Sequence, residues 1–80
     1  MQARIFVTPR KGILDPQGRA VEDALKSLGF DRISGVRVGR YIVVEVDAPS
    51  QASAEELVRK MCNDLLVNPN IEDFRFEVGP

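Results

Sequence analysis

Few residues in this sequence could do chemistry. Cys62 is the one thiol among 80 residues, and there is no histidine. A cysteine nucleophile needs a base or cationic surroundings to become a thiolate. Cys62 instead lies among Val58, Leu65 and Leu66 at helical spacing, which reads as a core thiol acting as a small hydrophobe. Glu72 and Asp73 are adjacent acids, suited to acid–base work only if both reach one pocket. Neighbours on a strand point to opposite faces, so a solvated strand start fits them better. Gly12 and Gly18, flanked by Arg10, Lys11 and Arg19, could cradle an anion on the free N–H groups of a helix start. Asp15 occupies the spot that anion would take, and no Walker or dinucleotide glycine pattern is present. Helix capping explains these residues better. With one cysteine and no histidine, a disulfide is excluded and a metal cage is disfavoured, so neither metal nor cofactor is expected on this chain.

The elements that would position these residues follow from periodicity. Ala3, Ile5 and Val7 alternate with Arg4, Phe6 and Thr8, predicting a strand over about 2–9 that Pro9 ends. Asp15 and Pro16 are an N-cap and a first helical residue. Ala20, Val21, Ala24, Leu25 and Leu28 then form one helical stripe that Gly29 stops. Ile33, Val36 and Val38 suggest a second strand over about 32–39, weakened by Gly35 and Gly39. Tyr41 to Val46 is rich in β-branched residues, and the simplest arrangement joins these two strands as a hairpin. Ser53-Ala54-Glu55-Glu56 reads as a capping box opening a second helix, with Leu57, Val58, Met61, Cys62, Leu65 and Leu66 on its apolar face. Asn68-Pro69-Asn70 is turn chemistry, and Phe74, Phe76 and Val78 alternate with charges in a last strand over about 71–78. The order βαββαβ in one domain, residues 1–80, predicts an α+β ferredoxin-like two-layer sandwich: an antiparallel sheet with two helices on one face.

Size and charge narrow the function. Apolar burial and the cost of ordering the chain come out about equal, at ~120 kcal/mol each, so a lone copy of this size is marginal and self-association is the stabiliser left. The open sheet face or a sheet edge is the expected contact. Net charge is −1, from 11 basic and 12 acidic side chains, which argues against a nucleic-acid binder, as does Tyr41 being the one aromatic of its strand. The charge is unevenly placed: residues 1–40 carry 8 basic and 4 acidic side chains, residues 41–80 carry 3 and 8. Halves of opposite sign suit contact with a second copy or a partner. The sequence has neither a membrane-length apolar run nor a signal-peptide pattern, so a cytoplasmic location is expected. These observations leave a non-catalytic assembly domain or a free-standing small-molecule-sensing regulatory domain.

Three strings in order go further. Lys11-Gly12-Ile13-Leu14-Asp15-Pro16-Gln17-Gly18-Arg19-Ala20-Val21, Val36-Arg37-Val38-Gly39-Arg40, and the stretch from Met61-Cys62-Asn63-Asp64 through Asn68-Pro69-Asn70 to Phe74 resemble the small-subunit family PurS of phosphoribosylformylglycinamidine synthase. Ile13, Arg40 and Phe74 stand where that family commonly has valine, lysine and tyrosine. The resemblance implies a non-catalytic subunit of an ATP- and glutamine-dependent C–N ligase of de novo purine biosynthesis. It implies a homodimer or tetramer bridging a large synthase subunit, which uses ATP and Mg²⁺, and a glutaminase subunit, with ammonia passing between them. It implies no active site on this chain and neither a nucleic-acid nor a membrane partner. Asp15, Pro16, Gln17 and Gly18 in one loop, and Asn68 and Pro69 in the other, are the expected partner contacts, because both loops carry more distinctive residues than capping alone requires.

Overall fold

The computed structural model describes residues 1–13 and 15–80, so Leu14 of the first string lies outside the described residues. The chain runs β1 (Gln2–Pro9), α1 (Pro16–Ser27), β2 (Arg40–Glu45), α2 (Gln51–Met61), a π-helical turn (Cys62–Leu66) and β3 (Glu72–Gly79). The strands form one antiparallel sheet in the order β2-β1-β3. Ile5 of the central strand is paired with Ile42 on one side and Phe76 on the other. Alternation then puts Ala3, Ile5 and Val7 on one face, where all three are buried against Ala54, Val58 and Cys62 of α2 and its π-helical turn, with Val46 and Val67 closing the ends.

The α+β class, the antiparallel sheet and the presence of two helices agree with the sequence. Three local features differ. Residues 32–39 form no strand and no hairpin with β2, because the Val36 and Val38 amides that a ladder would use donate to carboxylates of α1, and Gly35 adopts a left-handed φ of 68°. The second helix starts earlier than its capping box suggested. Ser50, not Ser53, is the N-cap: it is extended, and its hydroxyl accepts from the Ser53 amide at 3.1 Å. Finally, the buried core takes its helical residues from α2 and the turn that follows, and none from α1.

α1 begins and ends as its sequence dictates. Asp15 Oδ1 accepts from the Gly18 amide at 3.0 Å, Pro16 fills the first helical position, and Gly29 closes the helix at φ 97°. Its outward residues Val21 and Leu28 remain exposed. The molecule is accordingly long, 50 × 26 × 14 Å, with a radius of gyration of 15.9 Å, against about 11.6 Å for a compact 80-residue domain.

Candidate partner-binding surface

The first loop is organised by Asp15. Its second carboxylate oxygen accepts from the Val38 amide at 2.9 Å, so one side chain caps α1 and fastens the 32–39 segment to it. Glu22, two turns further along α1, repeats the contact by accepting from the Val36 amide at 3.2 Å, and it also receives Lys26 at 3.3 Å. Gly18 is buried between the two; a Cβ there would collide with the Val36 carbonyl and the Asp15 carboxylate. Backbone amides, Gly18 first and Val38 next, hold the Asp15 carboxyl below its ordinary pKa. The Val36 amide and then Lys26 do the same for Glu22. Both acids are spent on their own backbone. Beside them lies an open cleft of about 490 Å³ whose lining includes Arg10, Lys11, Arg19 and Arg37.

The second loop is organised by Glu72. Its carboxylate accepts from the Asn68 amide at 2.8 Å and from Arg40 at 2.7 Å, and Arg40 also donates to the Leu66 carbonyl at 2.9 Å. Asn68 Oδ1 accepts from the Asn70 amide at 3.2 Å, a side chain mimicking a turn. Arg10 links the two loops: its amide donates to the Ile71 carbonyl at 2.8 Å, its side chain meets Asp73 at 3.4 Å, and it lines both the first cleft and a smaller one beside Pro69.

Of the residues singled out from sequence, Pro16, Gln17, Asn68 and Pro69 are exposed, Asp15 is half-buried and Gly18 is buried. Asp15 and Gly18 are joined by a hydrogen bond, and Asn68 is held by Glu72. The sequence reading missed Glu22, Arg40 and Glu72 as organisers. Asp15 and Glu22, seven residues apart and therefore on one helix face, are the signal that could have revealed the first clasp. Cys62 is fully buried, and desolvation raises its pKa, only partly opposed by Arg59, so the thiol stays protonated. Among the described residues no three His, Cys, Asp or Glu side chains are grouped to hold a metal, and no helix is long and apolar enough to cross a membrane. On the open face of the sheet Phe6 stacks on Tyr41 at 5.0 Å, with the Arg75 guanidinium 4.0 Å from the Phe6 ring centre.

Fold and surface together define a small ferredoxin-like α+β domain with long-range polar contacts at two loops. Residues 2–80 match the family described as PurS, phosphoribosylformylglycinamidine (FGAM) synthase. A phosphoribosylformylglycinamidine synthase subunit PurS from Synechocystis sp. is 45% identical, the match covering 94% of this chain and 75% of that protein. The structure of Bacillus subtilis PurS superposes with a TM-score of 0.85 at 37% identity, covering 99% of this chain and 98% of that one. A chain of the structure of PurLQS from Thermotoga maritima superposes with a TM-score of 0.87 at 33% identity, covering 95% and 93%. This chain belongs to the PurS family.

Proposed function

We propose that this chain is the small, non-catalytic subunit of a cytoplasmic phosphoribosylformylglycinamidine synthase, self-associated and bridging the glutaminase and synthase subunits. The reaction joins formylglycinamide ribonucleotide and ammonia from glutamine, with ATP and Mg²⁺ used by the synthase subunit. The observation that carries the non-catalytic part is the fate of the reactive groups: Cys62 is buried and protonated, and Asp15 and Glu22 are engaged by backbone amides. None is poised to exchange a proton with a substrate. Support for the bridging part comes from the family and from the likeness to a chain of the Thermotoga maritima PurLQS structure.

The physical task of such a subunit is containment. Ammonia released into water at neutral pH is protonated and no longer nucleophilic, so a docked assembly that excludes water governs the coupled rate without touching the chemistry. The Asp15–Gly18 segment, through exposed Pro16 and Gln17, and exposed Asn68 and Pro69 are the contacts this reading assigns to the partner subunits. Light scattering on size-exclusion chromatography tests it, with this chain alone and then mixed with both large subunits, glutamine, Mg²⁺ and ADP. A dimer or larger species that joins both subunits in one peak is expected. A chain that stays separate under every ligand condition overturns the bridging role and favours an effector-binding domain.

A further inference from the structure

The cleft beside α1 carries more positive charge than its own acids neutralise. Arg10, Lys11, Arg19 and Arg37 line it, against the carboxylates of Asp15 and Glu22. Both acids are already engaged, Asp15 by the Gly18 and Val38 amides and Glu22 by the Val36 amide and Lys26. Arg10 meets Asp73 at 3.4 Å and Arg19 meets Asp23 at 3.9 Å. Lys11 and Arg37 form no ion pair among the described residues. Cations gathered in a cleft without matching carboxylates raise the local concentration of anions.

Two of these cations are held in place by the backbone. The Arg37 guanidinium donates to the Pro9 carbonyl at 3.1 Å, and Arg10 Nε donates to the Glu72 carbonyl at 3.4 Å. Each contact fixes a side chain and leaves further N–H donors of the fork for a ligand. Gly12 and Gly35 stand in the cleft wall with nothing within 4 Å of where a Cβ would be, so no side chain fills the space. Ile13 and Val36 supply an apolar part of the same wall. At about 490 Å³ the cleft has the size of a small-molecule site rather than that of a single inorganic ion. The start of α1 is not itself the site, since Asp15 takes the Gly18 amide there.

From these observations we propose that the cleft binds a nucleoside diphosphate. The phosphates lie against Arg10, Lys11 and Arg37, whose guanidinium forks and ammonium group suit phosphoryl oxygens, and the nucleoside packs on Ile13 and Val36. That apolar wall gives a ring a surface to rest on, which a run of acidic side chains would not use. The site belongs to the free chain and stands apart from the bridging role.

Calorimetric titration of the full chain with ADP as the probe tests it, with inorganic phosphate, adenosine and a hexaglutamate peptide alongside. One saturable ADP site per chain is expected, with phosphate and adenosine each bound at least roughly tenfold more weakly. Lys11→Ala and Arg37→Ala should each weaken ADP binding by about tenfold, as for the loss of a hydrogen bond to a charged group, while Lys60→Ala on α2 leaves it unchanged. Lys11 is exposed, so its variant keeps the test readable should Arg37→Ala unfold. The absence of saturable binding, or an equal loss with Lys60→Ala, overturns the site. ADP bound no more tightly than phosphate overturns the choice of ligand. Hexaglutamate bound more tightly than ADP overturns it in favour of an acidic segment of a protein partner.

Discussion

Asp15 and Val38 lie 23 residues apart and meet in a 2.9 Å hydrogen bond, the Val38 amide donating to the same carboxylate that caps α1 through Gly18. A segment patterned like a strand is thereby held as an appendage of a helix. Changing Asp15 to Asn separates the two roles, because Asn caps a helix about as well as Asp but can offer only one acceptor oxygen. Amide exchange at Val38 should accelerate while that at Gly18 stays slow. Equal acceleration at both would mean that the cap, not the clasp, is what the carboxylate supplies.

Stability should depend on pH through these two acids. Asp15 and Glu22 have folded pKa values below their ordinary ones, so each contributes stability that is fully present above the unfolded carboxylate range. It is lost as pH falls through the lowered folded values. A thermal melt followed from about pH 6 to pH 2 should therefore show Tm falling below about pH 4. An Asp15→Asn, Glu22→Gln double variant should show a flatter acid limb.

Gly18→Ala tests close approach against helix propensity. In an open helix the change would stabilise by about 1 kcal/mol. Here the new methyl would strike the Val36 carbonyl, so a net loss of roughly 1–3 kcal/mol is expected, read as a lower urea midpoint. A raised midpoint would show that the 32–39 segment moves aside freely.

Glu72 joins the Asn68 turn to Arg40 at the start of β2. Glu72→Ala should cost about 1.5–3 kcal/mol, the range for hydrogen bonds to a charged group. Glu72→Gln should recover part of it by keeping the Asn68 contact. Chemical denaturation of the three proteins checks the order.

In the assembled enzyme, Gln17→Ala should reduce glutamine-dependent turnover several-fold and leave ammonia-dependent turnover unchanged, since Gln17 is exposed on the first turn of α1. Cys62→Ala should lower stability by roughly 1–2 kcal/mol through the cavity it leaves without altering either activity. Steady-state assays with each nitrogen source, paired with urea melts, distinguish these outcomes.

Local patterns identified what local forces decide. The alternation of Ala3, Ile5 and Val7 and the Asp15-Pro16 pair gave β1 and α1 their places. The partner of a backbone amide is not a local property, so nothing in the spacing of Ile33, Val36 and Val38 showed that Asp15 and Glu22 would outcompete a neighbouring strand for those amides. Ser50 and Ser53 can both cap, and the choice fell to the one following Pro49, whose extended backbone leaves its hydroxyl over the first turn. The apolar stripe of α1 was legible as a stripe, but periodicity does not say that Val21, Ala24 and Leu28 stay exposed in the folded chain. For the loops, Asn68 was readable as a turn residue, whereas the Arg40 contact that Glu72 also makes comes from 32 residues away and has no local signature.

The sheet order also sets when the chain can fold. β1 is the central strand and precedes both its partners in the chain, residues 40–45 and 72–79, with Gln2 opposite Gly79. The nascent chain can therefore pair one edge of β1 once residues 40–45 are made, but the other edge stays open until residues 72–79 follow. Removing the last strand should strip one full edge from β1 and leave Ile5 and Val7 without their cover from Phe76 and Phe74, so interrupted translation yields a sticky fragment rather than a smaller domain.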